Sequence, residues 1–374
     1  MCRNMGITHS KKGNTTAEIE DKKRQIEEEE RPWPDLLPEL VFSIVESLSL
    51  LDRFNVSFAF PKWKPTMGLV PSMPSLLQIT NLDSKYSTFK IRDPITGTFI
   101  ETCCLPYRVT LLSSSYGWLL LSNYELFTVF FLNPLSKAVI RLPPIEPPYS
   151  LSACFSAPPT SPECVIFLGQ FGADAIRIMF CYHGDNIWTE LFFDNKESRM
   201  LLSAYEVNSV FYKGKVYWLG MDGRIGVFDP VAKSWIVHGS SDFLGGYNRY
   251  YLLVQSGDDL FRIWTCCVDF HPTVSVYKLE KHGYQWKETR SLDGHSFFIS
   301  FYPSIIFSTE ALQEKDRDKI YIRSSNGKYC FVYDVGSARI LNRTNIFLKQ
   351  PSFNCCCWIQ PKWDYPSFEQ LRWF

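Results

Sequence analysis

The sequence has no surplus of charge: 39 lysines and arginines stand against 39 aspartates and glutamates, a formal net charge of +0 at pH 7. Without a basic field there is no electrostatic footprint for nucleic acid and no pull toward an anionic membrane. Paired metal-binding or catalytic side chains are also missing. None of the six histidines stands three or four residues from another, and no H-E-x-x-H run occurs. The adjacent pairs Cys103-Cys104 and Cys266-Cys267 lack the C-x-x-C spacing of a zinc site. A nucleophile elbow, a Walker loop and a dinucleotide glycine fingerprint are absent too. These gaps leave no catalytic residue, no metal ligand and no cofactor to name, and they turn the expectation away from an enzyme.

The 12 cysteines form no regular ladder, and the opening MCRNMGITHSKKGNTT lacks the apolar stretch of a signal peptide. Buried free thiols in a reducing compartment, cytoplasmic or nuclear, are expected. Cys355, Cys356 and Cys357 read either as small core residues closing a blade or as a soft-metal or oxidant site. One stretch, Val109 to Leu132, approaches membrane length, but serines, Gly117, Asn123 and Glu125 break it. Paired strands are expected there, and no membrane span.

What is present points to β structure. Hydrophobic residues make up 45% of the chain, and 29 Phe, 19 Tyr and 11 Trp favour the pleated, half-buried surface of strands. Residues 1–31 are charged and poor in apolar side chains, which reads as a disordered tail. Within it, Lys22-Lys23-Arg24 is either a nuclear import signal or a solvated charge run. Residues 32–67 differ from everything else. Leu40, Ile44 and Leu48, with Val41 and Val45 beside them, recur at helical spacing. Asp35 is placed to cap this helix, and Pro38 suits its first turn. Leu51, Phe54, Val56, Phe58 and Ala59 form a second short helix that Pro61 ends. So few residues cannot stabilise themselves by burial, so the module is expected to lean on a neighbour or a partner.

After a linker or irregular first strand at 68–85, residues 86–360 repeat one theme: an apolar strand, a polar turn, then a second strand. Asp93, Asn133, Asp229 and Asp334 occupy the same point in it. Strand pairs with hairpin dipeptides, Asp222-Gly223, Gly257-Asp258 and Asn326-Gly327, precede several copies. Four strands per unit at a period of roughly 40 to 55 residues is the mark of a β-propeller of about six blades; a large β-sandwich is the alternative. Trp118, Trp188, Trp218, Trp235 and Trp286 are expected to fill the gaps between blades. Gly245-Gly246 reads as a tight turn, and the APPTSPE stretch at 157–163 as an exposed insertion or a phosphorylation site. His271, His282 and His295 fall in turns, and the alternating charges of 314–319 read as a solvated loop. Residues 361–374 are taken as a C-terminal tail.

The stretch WPDLLPELVFSIVESLSLLDRFNVSFAFPKWK resembles an F-box, the helical motif that docks onto the Skp-type adaptor of cullin-RING ubiquitin ligases. The resemblance rests on Leu37 to Leu40, on Ile44 and Leu48, on Leu51-Asp52 and on Lys62-Trp63. Pro61 departs from it, standing where the family has a small residue. The stretches GWLLLSN, FFLNPLSKAVIRLPP, KVYWLGMDGRIGVFDP and YYLLVQSGDDLFRIW resemble the kelch-like propeller of a large plant F-box family, long catalogued as a domain of unknown function. The resemblance implies a mainly β fold, a kelch-like propeller behind a small all-α F-box. It implies a substrate-recognition subunit that binds a Skp-type adaptor, and through it a cullin, and holds an unknown protein target without catalysing anything itself. Adaptor contact would fall to Leu36, Leu37, Pro38, Leu40, Ile44, Leu48 and Trp63. Three other readings stay open: that these residues merely pack on the propeller, that the chain is a scaffold with a non-functional F-box, and that an enzyme site lies in the propeller channel.

Overall fold

A computed structural model describes residues 33–70, 74–82, 85–93, 96–146, 151–195, 208–220, 223–239, 249–266, 273–280, 284–301, 305–311, 313–324, 329–345, 355–363, 366–367 and 369–373. The N-terminal tail with Lys22-Lys23-Arg24, His9, Asp222, Gly245-Gly246, Cys267, His271, His282 and Asn326-Gly327 lie outside the described residues. The helices up to Val70 form one compact unit and the strands form another.

In the first unit a 3-10 turn, Trp33–Asp35, precedes α1 (Pro38–Ser47) and α2 (Leu50–Ala59). A second 3-10 turn, Pro61–Trp63, runs directly into α3 (Lys64–Leu69). Pro38 opens α1, where its missing N–H has no intrahelical acceptor to leave unpaired. Asp35 does not cap that helix: Leu37 holds the cap position with no side-chain bond, and Asp35 pairs instead with Lys62. The far end of α1 is capped by a residue the sequence reading passed over. Arg53, on α2, donates from Nε to Leu48 O at 3.2 Å and from Nη2 to Glu46 O at 3.0 Å, placing a cation on carbonyls that no helical N–H can reach. Pro61 breaks the chain between α2 and α3 without disrupting either, because it stands at the start of a turn.

The second unit is a six-bladed propeller. In chain order its strands are β1 (Ser75–Leu82), β2 (Tyr86–Arg92) and β3 (Phe99–Leu105); β4 (Thr110–Ser115), β5 (Trp118–Asn123), β6 (Thr128–Leu132) and β7 (Val139–Arg141); β8 (Ser152–Phe155), β9 (Val165–Phe171), β10 (Ala175–Tyr182) and β11 (Thr189–Asp194). Then follow β12 (Ser209–Tyr212), β13 (Lys215–Leu219), β14 (Ile225–Asp229) and β15 (Ser234–His238); and β16 (Arg249–Ser256), β17 (Asp259–Cys266), β18 (Thr273–Leu279) and β19 (Trp286–Glu288). The last are β20 (His295–Ser300), β21 (Ile305–Glu310), β22 (Lys319–Arg323), β23 (Tyr329–Asp334), β24 (Arg339–Asn345) and β25 (Cys355–Ile359).

Blades two to five are four-stranded meanders. The ring closes because β25, from the far end of the chain, pairs antiparallel with β1, setting Ile359 opposite Ser75 and Cys355 opposite Ile79. The first blade is therefore ordered β25-β1-β2-β3, and β1 is a full strand where a linker or irregular strand was expected. Its partner lies at the other end of the sequence, which local pattern cannot show. Blade six departs from the four-strand theme: β21 turns inward, β20 lies behind it, and β22 pairs parallel to β20, giving five strands. The innermost strands β4, β8, β12, β16, β21 and β25 each touch the next and encircle a central channel.

Between neighbouring blades lie apolar cores. Trp118 and Phe131 of blade two meet Trp188 of blade three, Trp218 and Phe228 meet blade three from the other side, and Phe261, Phe297 and Phe331 join blades five and six. Trp235 and Trp286 pack partly buried on such clusters, so all five tryptophans stand where the repeat reading put them. The repeated Asp or Asn also has one role, in the turn before the last strand of its blade. Asn133 Oδ1 accepts from the N–H groups of Leu135 and Ser136 at 3.0 Å, Asp229 Oδ1 from Val231 and Ala232, Asp93 Oδ1 from Thr96, and Asp334 Oδ1 from Ser337. These side-chain turns replace backbone bonds that a tight connection cannot make.

The stretch from Val109 to Leu132 becomes β4, β5 and β6, and among the described residues no helix is long and apolar enough to cross a membrane. Residues 314–319 are more engaged than a solvated loop. Lys319 pairs with Asp334, Asp316 accepts from Tyr321 Oη, and Asp318 accepts from Ser291 Oγ.

The segment read as a C-terminal tail is a strap built into the propeller. Lys362 O accepts from Asn133 Nδ2 at 3.2 Å, and Trp363 is buried. Trp373 is 2% exposed, donates from Nε1 to Pro159 O at 2.9 Å, and accepts at its carbonyl from Gly184 N–H at 2.8 Å. The APPTSPE loop is anchored by this strap. Gly117 shows how closely the strap lies: a Cβ there would stand 2.4 Å from Lys362 Cβ, and its φ of +80° already favours glycine.

Candidate functional site

Helix α1 is apolar on two sides, which a helix packed on one neighbour does not need. Val41 and Val45 are buried at 2% and 0%, and α1 packs on α3, whose Met67 is also buried. On another face Leu37 and Leu40 are each 51% exposed, with Ile44 partly exposed one turn on. The i, i+3, i+7 spacing lines these three side chains along one stripe. Leu36 and Leu48 are partly exposed at the two ends, and Pro38 is exposed. The structure thus brings six of the seven named residues to the surface of the helical unit.

Trp63 is the seventh, and the structure places it inside. It is 3% exposed, stacks on Phe60 with ring centroids 4.7 Å apart, and donates from Nε1 to Trp33 O at 3.1 Å. A large ring with one donor is stable in a core where that donor finds a carbonyl. Trp63 shapes the surface from beneath and presents none of it. Four further apolar side chains are exposed that were not named for contact: Trp33, Leu51, Phe58 and Leu69, the last at 75%. Leu51 and Phe58 were legible only as helix residues, because the i, i+4 pattern does not say which flank finds a neighbour.

The propeller offers a second concave site, the mouth of its channel at the C-terminal ends of the inner strands. The cavity is about 490 Å³ and is lined by residues from β4, β8, β12, β16 and β21, and by Gln360 just after β25. Small hydroxyls dominate its wall, Ser113, Ser209, Ser256 and Ser308 among them, and the Ser256 and Ser308 oxygens are 2.8 Å apart. Phe155, Phe211 and Phe307 supply apolar surface. A two-residue turn shapes the rim: Tyr116-Gly117 has positive φ at both positions, the geometry that closes a tight hairpin. His295 and Glu310, directly opposite each other in the β20–β21 pair, stand on the same rim. His295 was read from sequence as a turn residue; it opens β20, with Nδ1 3.3 Å from Asp293 O.

Six of the nine described cysteines are core residues; Cys103 and Cys355 are half-buried and Cys104 is exposed. Burial pushes the thiols of Cys154, Cys164, Cys181 and Cys330 up to about 12 and that of Cys356 up to about 11. A thiol so raised stays protonated at neutral pH, which is poor chemistry for a nucleophile or a metal ligand. In the triplet, Cys356 and Cys357 are fully buried in β25, where small side chains let the closing strand approach β1. Among the described residues no three His, Cys, Asp or Glu side chains gather as a metal site.

The fold and these surfaces agree with what the chain is similar to. F-box protein At4g00893 of Arabidopsis thaliana is 27% identical over 325 residues, covering 82% of this chain and 80% of that protein. F-box/kelch-repeat protein At3g18720 of the same plant is 27% identical over 280 residues, covering 70% and 66%. F-box protein At3g56470, also of Arabidopsis thaliana, is 23% identical over 292 residues, covering 76% and 75%. The KIB1-4 beta-propeller model matches residues 87–334, most of the six-bladed unit, and the chain therefore belongs to that family as a plant F-box protein with a propeller behind its helices.

Proposed function

We propose that this protein is the substrate-recognition subunit of a cullin-RING ubiquitin ligase of the Skp–cullin–F-box type. Its helical unit docks a Skp-type adaptor, and its propeller holds a protein target for modification by other subunits. The chain contributes no catalytic group; it acts by proximity, raising the local concentration of target beside a conjugating enzyme. The assembly works in the cytoplasm or nucleus, a setting that the nine described free cysteines suit.

The observation that carries this reading is the stripe of Leu37, Leu40 and Ile44. Leucines half exposed on a helix whose adjacent face is sealed at Val41 and Val45 forgo burial that a partner can supply, about 25 cal/mol for each Å² covered. The names of the relatives give support of the same kind.

The test is capture of a purified Skp-type adaptor by the full-length protein and by a Leu37→Ala, Leu40→Ala variant. Capture by the intact protein should fall about tenfold or more in the variant, in line with the loss of two central apolar contacts. If the folded, intact protein captures no adaptor, the ligase reading is wrong and a propeller scaffold is left.

A further inference from the structure

The rim of the propeller channel carries an uneven charge. Among the described residues that line the cavity there is one carboxylate, Glu310, and no lysine or arginine. Glu310 is exposed, and among the described residues it forms no ion pair. Nearby carboxylates are differently placed: Asp259 and Asp293 both hold Lys278 Nζ at 2.8 Å, and Asp334 holds Lys319. The rest of the wall is neutral and rich in acceptors, with serine hydroxyls, Gln255 and Gln360.

The wall also has an apolar share that suits one class of side chain. Phe155, Phe211 and Phe307 line the cavity beside the hydroxyls. A long aliphatic stem lies well on such rings while its charged head reaches acceptors and a carboxylate. A glutamate or phosphate would meet Glu310 and a row of acceptors, with His295 but no lysine or arginine among the described lining residues to receive it.

The strap decides which part of this face is open. It covers blades two and three, where Lys362 lies on Gly117 and Trp373 on the Pro159 loop. The blade-five turn and Glu310 of blade six border the cavity without such a cover: Gln255, Gly257 and Glu310 are all exposed.

We infer that the open sector of the channel mouth receives a lysine or arginine side chain from a loop of the target polypeptide, with Glu310 as its counter-ion and Ser256, Ser308, Gln255 and Gln360 as hydrogen-bond acceptors. This rests on reading the propeller as the target-holding part, and it names the face used and the chemistry recognised. A volume of about 490 Å³ admits one long side chain with its backbone, within the range of side-chain and small-ligand pockets.

The test uses the full-length protein and four fluorescent nonapeptide pools, degenerate except for a central Arg, Lys, Gln or Glu, followed by polarisation at low and physiological salt. The Arg or Lys pool should bind about fivefold tighter than the Gln pool, the scale of a partly exposed ion pair, and the margin should shrink with salt. Glu310→Gln should erase the preference, and Glu310→Lys should turn it toward the Glu pool. Glu310 is exposed at a strand end, so neither variant threatens the fold, and unchanged thermal melting checks this. Equal binding of all pools, no binding of any, or a basic preference that survives Glu310→Gln would each overturn the inference. The adaptor is absent from this assay. A failed adaptor capture with intact peptide selectivity would sink the ligase reading alone, and the reverse result would sink only the channel assignment.

Discussion

In the propeller, Trp118, Leu120, Phe131 and Leu168 from adjacent blades are sealed at 0% exposure, while in the helical unit Leu37 and Leu40 stand 51% exposed and Phe58 61%. The residue types are the same and the local patterns equally strong; the supply of neighbours differs. A closed ring gives every blade face a second face to meet, so most apolar residues of the inner strands find cover, although Phe192, Ile236 and Leu341 on outer strands stay exposed. A few short helices have one interior side each, and their remaining apolar residues stay outside unless another molecule covers them. An identical leucine is therefore a core residue in one unit and an exposed one in the other, where the proposed adaptor contact would use it.

The contrast can be broken most directly at the propeller core. Trp118→Ala should cost about 3–5 kcal/mol, read as a shift in the denaturant midpoint by circular dichroism. A loss below about 1 kcal/mol would mean that the blade interfaces are not close-packed. The strap comes next. Trp373→Ala should cost about 3 kcal/mol, because it opens a cavity between blades two and three and leaves Pro159 O without its donor. Trp373→Phe should recover most of that, and a truncation at residue 360 that left the melting temperature unchanged would show the strap to be dispensable.

Leu40→Ala sharpens the comparison from the other side. Its effect on unfolding should stay within about 0.5–1 kcal/mol while adaptor capture falls, so stability and binding separate at a single leucine. The smallest effect is expected at the Asx turn of blade six. Hydrogen bonding to Lys319 and to the Ser337 N–H pulls the Asp334 carboxyl down to about 2. A folded-state pKa below the unfolded one contributes stability that is present above the ordinary carboxylate range and lost as pH falls toward about 2. Asp334→Asn should therefore cost about 1 kcal/mol near pH 7, after allowance for solvent screening, and nothing near pH 2. Paired urea titrations across that window would check it.

Much of this was legible in residue order. The stripe of Leu40 and Ile44 follows from helical spacing, and the Asp93, Asn133, Asp229 and Asp334 turns follow from a repeated theme. What escaped depended on distant partners. Trp63 looked like one more apolar residue of the F-box stripe, but the carbonyl that takes its indole N–H belongs to Trp33, 30 residues earlier. Arg53 reads as an ordinary helix charge until α1 ends beside it. The strap shows no strand or helix period, so Lys362 and Trp373 gave no signal; their partners Asn133 and Pro159 lie 229 and 214 residues away. Glu310 was one acidic residue among 39 until the inward turn of β21 set it on the channel rim.

The sequence by itself determined the element types, the number of repeats and the two-part order of helices and blades, because side-chain period and turn chemistry act within a few residues. Tertiary structure alone decided that β25 closes the first blade, that the C-terminal segment straps blades two and three, and which leucines remain outside. Those outcomes turn on which surfaces meet once the ring is shut, and burial is a property of the meeting rather than of either surface.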